Sequence, residues 1–355
     1  DPLLDIRLRE NDFSLYPELQ VRGKCLVPVM EGIPFDNCGN LGVAIHLIDY
    51  LDGNLEIDGS MEDIFSADSA SLVCRFGKQE YPVVYNQRYS MTKAFGVTYA
   101  RKKTFHVRVP VDGAQTGERL LNFYLVQNGK PFRLRFEFPS HTSRFSRDFT
   151  YSCWRFGGWY SFWNEKGIHV LPRDPLKELY KELQFIRYLW KKKKGKYRDA
   201  CRLEVLNFLL KPYFAHRRIW LFQDKIYKAG DSSEYLYKYA AGKKDGIHCY
   251  YLLDEQAPDY ARMRKEGYRP LRRGSLKHRL VFLNADLVIA SNSTVFAFND
   301  YTFDRSVAIR GRIHSESVCV QHGMSVQKIA LAQQRIRDNT KLHFCASRYE
   351  FTTAS

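Results

Sequence analysis

The chain has 355 residues, of which 45% are hydrophobic and 15% aromatic, so it encodes folded protein with enough length for two or three domains. Its 55 lysines and arginines exceed its 39 acidic residues and give a net charge of +16, which favours anionic partners. The 8 cysteines contain no CxxC pair, which argues against a zinc site or a disulfide framework and fits a reducing cytosol. No apolar run reaches the length of about 18 residues that a membrane-spanning helix needs.

Residues 1–170 are predicted to form a β-rich accessory domain, an antiparallel β-sandwich in type. Short segments such as "LGVAIHLIDYL" and "KTFHVRVPV" are separated by turn residues, and Asn128-Gly129 predicts a tight hairpin. Two interpretations fit the aromatic segment around Trp154, Trp159 and Trp163. It either stacks on sugars or closes a protein core, and the core interpretation is the commoner use of such residues.

Residues 171–218 are predicted to form basic amphipathic helices. Asp174 and Pro175 supply an N-cap and a first helical residue. Apolar residues then follow at steps of three and four, namely Leu176, Leu179, Leu183, Ile186 and Trp190. Between residues 191 and 218, ten basic residues accompany only Asp199 and Glu204.

Two interpretations of this helical segment remain open on the residues alone. It is either a membrane contact on anionic lipid or a helical hairpin that packs on a neighbouring domain. The residues assigned to a membrane contact are Trp190, Lys191, Lys192, Lys193, Lys194 and Phe214. A nucleic-acid-binding arm is disfavoured, because no nucleic-acid-binding signature accompanies the charge.

Residues 219–355 alternate between predicted strands and helices, which is typical of a Rossmann-like parallel α/β domain. The strands are "IWLF", "IHCYYLLD", "DLVIAS", "VCVQ" and "LHFCAS", and two helical segments are "GDSSEYLYKYAAGK" and "SLKHRLVFLNA". In such sheets, ligands bind beyond the carboxyl ends of the strands. We therefore expect the polar residues that follow the strands to line a site.

Those strand-end residues include the segment "SNS", with Ser291, Asn292 and Ser293, and the turn of Gln321, His322 and Gly323. The partial positive charge of a following helix would keep His322 neutral, as a general base requires. The alternatives are a histidine that hydrogen-bonds a loop and an "SNS" segment that caps the next element.

The loop from 262 to 279 carries eight basic residues against Glu266 alone. It either steers a polyanionic acceptor through Arg269, Arg272, Arg273 and Lys277 or is an ordinary solvated loop. The sequence contains no GxGxxG or P-loop phosphate cradle in this region and no sign of a bound metal or cofactor.

The order "IWLF…DSSEYLYKY…HCYYLLD", "GSLKHRLVFLNADLVIASNS" and "VCVQHGMSVQKIA" resembles the CDP-glycerol glycerophosphotransferase family, the teichoic acid primases and polymerases. The resemblance covers about residues 217–350. Family members often show Trp-His-Gly-Thr-Pro-Leu-Lys, where this chain has Gln321 before His-Gly and then Met-Ser-Val.

The resemblance implies a two-lobed GT-B fold and a peripheral protein at the cytoplasmic membrane face, active in cell-wall polymer synthesis. His322 would be the general base that activates the terminal hydroxyl of a lipid-linked polyol-phosphate acceptor, and CDP-glycerol would be the donor. Substrate contacts would come from Asp231, Ser232, the "SNS" residues, Gln321 and Gly323. Residues 219–355 would be the acceptor lobe, with the donor-binding lobe absent from this chain, so the chain alone is expected to be nearly inactive.

Two rival functions remain. One is a GT-B transferase that uses CDP-ribitol or a nucleotide sugar, because donor-choosing residues would lie in the other lobe. The other is a non-enzymatic basic membrane-binding module. Acceptor polymer, oligomeric state and the choice between priming and polymerising are not specified by these patterns.

Overall fold

A computed structural model gives the fold of this chain and divides it into two compact units. The first unit comprises Asp1–Pro139 and Phe156–Arg173, and the second comprises Ser140–Arg155 and Asp174–Ser355. The described residues are 18–22, 25–30, 33–34, 42–63, 70–94, 97–111, 117–127, 130–139, 144–145, 152–192, 195–225, 227–291, 312–321, 340–345 and 347–348. Six residues predicted to be functional lie outside them: Lys193, Lys194, Asn292, Ser293, His322 and Gly323.

The strands that precede the helical segment are short and rich in β-branched and aromatic residues. They are β1 (Glu18–Arg22), β2 (Cys25–Met30), β3 (Ile33–Pro34), β4 (Gly42–Leu51), β5 (Asn54–Asp63), β6 (Ala70–Phe76), β7 (Gln79–Pro82), β8 (Val84–Ala94), β9 (Val97–Pro110), β10 (Arg119–Gln127), β11 (Lys130–Arg133), β12 (Arg135–Glu137), β13 (Cys153–Phe156), β14 (Trp159–Asn164) and β15 (Gly167–Pro172).

Within the first unit, one sheet contains the order β14-β15-β10-β6-β7 with β11 beside β10, and another has the order β12-β4-β5-β9-β8. Strand β12 pairs with β4 in parallel, whereas β5 pairs with β4 and β9 in antiparallel. Side chains such as Phe105 and Phe123, with ring centroids 5.3 Å apart, form its buried core.

Strands β10 and β11 pair in antiparallel with Gln127 opposite Lys130, as the predicted hairpin requires, and the predicted turn residues Asn128 and Gly129 lie outside the described residues. The aromatic segment after these strands is buried: Trp154, Trp159 and Trp163 are each at most 9% exposed. These rings therefore belong to cores, and the sugar-stacking interpretation is wrong for them.

The second unit contains the predicted helical segment as α1 (Pro175–Lys191), α2 (Gly195–Leu209) and α3 (Lys211–Ala215). The Asp174 carboxylate accepts hydrogen bonds from the backbone N–H groups of Leu176 and Lys177, so the predicted N-cap is confirmed. The second predicted helix is interrupted at Leu210, two residues before Pro212, whose ring favours the start of a helix over its interior.

The remaining elements alternate as predicted. They are β16 (Arg218–Gln223), α4 (Ser232–Ala241), β17 (Ile247–Leu253), α5 (Pro258–Lys265), β18 (Leu271–Arg272), α6 (Leu276–Leu283), β19 (Leu287–Ala290), β20 (Glu316–Cys319) and β21 (Thr340–His343). All five predicted strands are present. Helix α5 and strand β18 are additional, since the sequence pattern indicated only a polar, basic connection there.

These six strands form one sheet in the order β18-β17-β16-β19-β20-β21, with every neighbouring pair parallel. The chain starts at β16, extends to one side and then crosses to β19, which gives the strand order of a doubly wound fold. Ile219 and Leu221 pack toward α2, α3 and α6, while Phe222 packs toward α4 and α5. The mixed α/β architecture is consistent with the predicted Rossmann-like domain.

Helix α1 presents its apolar stripe to solvent instead of to the core. Leu176 is 77% exposed and Trp190 is 78% exposed, and Leu183 is also exposed. The buried face of the helix carries Glu178 and Glu182 beside Phe185 and Leu189. The hydrophobic pattern predicted the helix correctly, but hydrophobicity alone did not indicate which side faces the protein.

The buried glutamates of α1 are held by an ion-pair network centred on Arg312. The Arg312 guanidinium is 3.1 Å from both the Glu182 and the Glu204 carboxylates, and Lys211 is 2.6 Å from Glu182. Arg155 pairs with Glu178 at 2.7 Å. Buried charges of this kind are tolerated in proteins because each has a partner.

None of the helices in the described ranges is both long and apolar enough to cross a bilayer. The described cysteines are all free thiols, and four of them are buried: Cys74, Cys153, Cys201 and Cys319.

Candidate functional site

The centre of the parallel sheet places polar residues where the strand order reverses. Strands β16 and β19 are neighbours there, with Gln223 opposite Ala290. The backbone N–H of Ser291 donates to the carbonyl oxygen of Gln223 at 3.3 Å, which brings the two strand ends together. Crevices at such switch points are the usual ligand sites of open α/β sheets.

Asp224 organises the turn that leads from β16 into α4. Its carboxylate accepts hydrogen bonds from the backbone N–H groups of Asp231, Ser233 and Glu234, at 3.1 to 3.3 Å, and from the Tyr251 hydroxyl at 2.7 Å. Burial raises the pKa of the Asp224 carboxyl, and these hydrogen bonds oppose that shift. The N-terminus of α4 is therefore satisfied from within the protein.

The predicted substrate contacts Asp231 and Ser232 lie at the start of α4. Asp231 is partly buried and Ser232 is exposed. The side chain of Asp231 makes no capping hydrogen bond, because Asp224 takes that role. Both residues thus lie at the predicted sheet edge.

Gln223 is one of the strand-end residues expected at this edge, although no substrate contact was predicted for it. Its side chain is 2% exposed, and its amide Nε2 has no hydrogen-bond partner among the described residues. An unsatisfied buried donor is costly, so its place at the switch point makes it a candidate contact for a ligand. The signal for such a contact in the sequence is a glutamine at the end of a buried apolar strand.

Ser291 and Gln321 are the members of the predicted "SNS" and Gln-His-Gly segments that the structure describes. Ser291 follows β19 directly and is buried. Gln321 comes two residues after β20, is also buried, and has its amide Nε2 at 2.8 Å from Nε2 of His343. These two residues follow adjacent parallel strands, at the same edge as Gln223.

The predicted basic segment reaches this edge through β18. Leu253 at the end of β17 pairs with Arg272, whose guanidinium is 3.1 Å from the exposed Glu255 carboxylate. The ammonium of Lys277 lies 5.5 Å from the centre of the Tyr250 ring. Arg269 is exposed and Arg273 is partly buried. The structure thus gives Arg272 and Lys277 local partners within the protein.

The predicted membrane contacts separate into two groups. Trp190, Lys191 and Lys192 are exposed at the end of α1. Phe214, by contrast, is 9% exposed and packs in the core beside Ile219 and Leu203. The assignment of Phe214 to the membrane was therefore wrong, because this ring fills space between α3 and the sheet.

Within the ranges that the structure covers, no group of three or more His, Cys, Asp or Glu side chains is placed to hold a metal ion. The chemistry available at the edge comes from amide, carboxylate, hydroxyl and imidazole groups.

The segment that contains this sheet edge matches a known protein family. Residues 205–355 match the family model described as CDP-Glycerol:Poly(glycerophosphate) glycerophosphotransferase. The minor teichoic acid biosynthesis protein GgaB of Bacillus subtilis strain 168 is 20% identical over 352 residues, which are 97% of this chain and 37% of that protein. The chain therefore spans little more than a third of the length of that relative. The resemblance to the CDP-glycerol glycerophosphotransferase family is confirmed for residues 205–355.

Proposed function

We propose that this chain is the acceptor-side part of a transferase that moves glycerol phosphate from CDP-glycerol to the terminal hydroxyl of a lipid-linked polyol-phosphate acceptor. The observation that carries the proposal is the switch point of a doubly wound parallel sheet within the segment that matches the glycerophosphotransferase family. The name of GgaB supports a role in teichoic acid synthesis.

In the proposed mechanism, His322 acts as the general base. Its imidazole takes the proton of the acceptor hydroxyl, and the oxygen attacks the phosphorus that carries glycerol. The bond from this phosphorus to CMP breaks, and CMP leaves with the electron pair. Phosphoryl transfer of this kind depends mainly on positioning and charge stabilisation.

The residues around the switch point would bind the acceptor end. Gln223 offers a buried amide donor, and Ser291 offers a hydroxyl on the neighbouring strand end. Asp231, Ser232, Asn292, Ser293 and Gly323 remain proposed substrate contacts. Arg269, Arg272, Arg273 and Lys277 remain the residues proposed to steer an anionic acceptor. The lobe that binds the donor would lie outside this chain, in a GT-B arrangement.

We also propose that α1 contacts the cytoplasmic face of the membrane in a peripheral manner. Its exposed apolar stripe of Leu176, Leu183 and Trp190 would enter the interface, while Lys191 and Lys192 would meet anionic headgroups. Lys193 and Lys194 continue this basic run in the sequence. Helix α1 also packs on α2 through Phe185 and Leu189, so a packed hairpin and a membrane contact are compatible, and the outward orientation of the stripe supports the contact.

The test is CMP release from CDP-glycerol by the full-length protein with a lipid-linked acceptor. Replacing a general base costs roughly 10² to 10⁴ in rate, so His322→Ala should lose that much. His216→Ala is the matched control, since His216 is exposed at the end of α3 and has no assigned role. The control should release CMP at the wild-type rate.

Other outcomes separate the rival functions. Equal rates for wild type and His322→Ala would place the base elsewhere. Release from CDP-ribitol or a nucleotide sugar, without release from CDP-glycerol, would replace the donor in the proposal. Vesicle binding without any transfer would favour a non-enzymatic membrane module.

A further inference from the structure

Gln321 has an unusual backbone conformation at the residue that directly precedes His322. Its φ is 52°, in the left-handed region that residues with a side chain rarely adopt. Asp52 also has a positive φ, but it lies in the tight connection between β4 and β5, where such values are ordinary. Gln321 instead follows a buried parallel strand. A conformation of this kind persists only where surrounding contacts fix it, and it is often found at functional sites.

The contacts that fix Gln321 come from the neighbouring strands on both sides of β20. The backbone N–H of Val320 donates to the carbonyl oxygen of Ala290 in β19 at 2.8 Å. The Gln321 side chain is 7% exposed, and its amide Nε2 lies 2.8 Å from Nε2 of His343 in β21. The amide nitrogen donates, so the imidazole Nε2 accepts and the ring proton is on Nδ1.

His343 is itself held in place by the sheet. It is the last residue of β21 and lies opposite Cys319 in the parallel pairing. The next residue, Phe344, donates its backbone N–H to the carbonyl oxygen of Cys319 at 2.8 Å. The backbone that carries the imidazole is therefore paired with β20, and Gln321 contacts the ring from the adjacent strand end.

We propose that Gln321 and His343 form a positioning pair for the proposed catalytic base. The hydrogen bond between them would hold the strained backbone at Gln321, the residue that directly precedes His322. This role rests on the proposed function of His322, which is the next residue in the sequence. It replaces the substrate contact predicted for Gln321, because the amide is buried and directed to His343.

The test compares two substitutions of His343 in the full-length protein. His343→Phe keeps the ring volume but removes the acceptor, whereas His343→Gln returns an acceptor oxygen near the position of Nε2. A misplacement of about 1 Å costs about 10²-fold in rate, so kcat for CMP release should fall by about that factor in His343→Phe with KM for CDP-glycerol unchanged. His343→Gln should recover most of the rate.

A double variant tests whether the two side chains act together. Gln321→Met should resemble His343→Phe, and the double variant Gln321→Met/His343→Phe should be no slower than either single variant. The proposal is overturned if the two losses multiply, or if His343→Gln is as slow as His343→Phe.

A spectroscopic readout separates this proposal from the assignment of the base. With selectively ¹⁵N-labelled histidine, wild type should show His343 as the Nδ1–H tautomer, and Gln321→Met should lose that preference. An unchanged tautomer in Gln321→Met would overturn the pair. If the wild type releases no CMP, the proposed function is overturned, and the positioning role with it. The hydrogen bond between Gln321 and His343 is tested separately, because the His343 tautomer is measured without activity.

Discussion

Gln223 and Asp224 are adjacent residues at the end of β16, yet their buried polar groups have opposite hydrogen-bonding states. The Asp224 carboxylate accepts from three backbone N–H groups and a tyrosine hydroxyl. The Gln223 Nε2 has no partner in the described parts of the chain. Leaving such a donor unpaired costs about 1–3 kcal/mol. A ligand that accepts a hydrogen bond from it would remove this cost.

This difference gives a prediction for Gln223→Met, which keeps the length of the side chain and removes the amide. We expect the free energy of unfolding to stay the same or rise, because no internal hydrogen bond is lost. If Gln223 Nε2 contacts the acceptor, kcat/KM for the acceptor should fall about tenfold, equal to about 1.4 kcal/mol. Urea unfolding and initial-rate kinetics measure the two quantities.

Asp224→Asn provides the contrasting control. It should lower the free energy of unfolding, because the new amide cannot accept all the hydrogen bonds that end at the carboxylate. A stability loss in Gln223→Met as large as that in Asp224→Asn would contradict the assignment of an unpaired amide.

The network around Arg312 contains two carboxyls with opposite pKa shifts. Burial alone would raise the pKa of Glu182, but Arg312 and Lys211 lower it below the usual value. Burial raises the pKa of Glu204, and Arg312 opposes that shift only in part. Ionised Glu182 therefore stabilises the fold above the ordinary glutamate pKa of about 4.3 and loses this effect as the pH falls through its folded value. Glu204 has the opposite sign, because its stabilising effect is present at low pH and is lost as the pH rises through its raised pKa.

We predict that Glu182→Gln destabilises the protein most at pH 7 and that the deficit shrinks as the pH falls. Protonated Glu182 in the wild type then resembles the neutral glutamine. Urea unfolding of both proteins between about pH 7 and pH 2 measures the difference, because the lowered pKa of Glu182 places the change below the ordinary value of about 4.3.

Glu204→Gln is the control of opposite sign for this pH series. Its stability relative to the wild type should improve as the pH rises through the raised pKa of Glu204. A deficit of Glu182→Gln that is constant across the series would contradict the lowered pKa.

Helix α1 has the reverse of the usual orientation of an amphipathic helix. The buried face of α1 includes two glutamates, and each forms an ion pair with a cationic side chain. The leucine and tryptophan side chains remain outside. Because those partners come from residues 155, 211 and 312, distant from α1 in sequence, no local pattern could indicate the reversal.

The outward stripe predicts the behaviour of Leu183→Ser/Trp190→Ser. Each large apolar side chain gains about 1.5–3 kcal/mol on leaving water, so the double variant should bind anionic vesicles at least about tenfold more weakly. Flotation with vesicles that contain phosphatidylglycerol measures this binding. The double variant should keep the wild-type free energy of unfolding, since neither side chain is buried.

Tyr235→Ser/Tyr239→Ser is the matched control, because both tyrosines are equally exposed on α4. Its vesicle binding should equal that of the wild type. Equal loss in the two double variants would argue against α1 as the membrane contact.

Helix α5 and strand β18 were missed in the sequence for different physical reasons. Helix α5, "PDYARMRK", spans eight residues and buries Met263 as its apolar anchor, so it carries little hydrophobic periodicity. Its arginine Arg262 instead pairs with Glu234, Asp259 and Glu266. Strand β18 has two residues and exists through its pairing with β17. Neither feature is visible in a local pattern.

Across the chain, local sequence signals predicted the helices and strands, whereas tertiary contacts determined the candidate site. The N-cap at Asp174, the hairpin at Asn128-Gly129 and the alternation after residue 218 were readable because each depends on neighbouring residues. The pairing of Gln321 with His343 spans 22 residues and joins two strands, so it required the sheet order. The burial of Phe214 likewise depends on the position of the sheet beneath α3.

The net charge of +16 is a property of the whole chain, and it attracts anionic surfaces without specifying a contact. Part of the cationic charge in the described residues is engaged in ion pairs, as with Arg312 in its buried network and Arg262 beside three carboxylates. Lys191 and Lys192 are exposed beside the apolar stripe of α1 and contribute to the cationic surface.

The carboxylate of Asp224 bears on the direction in which a polymer could grow. The first βα turn of many doubly wound proteins receives a phosphate, because the helix N-terminus offers unpaired N–H groups and a partial positive charge. Here a side chain of the protein supplies the negative charge instead. A phosphodiester would be repelled from this end of the crevice, whereas an uncharged alcohol would not. The acceptor proposed above would therefore enter with its free hydroxyl terminus leading, and the proposed transfer would extend that terminus.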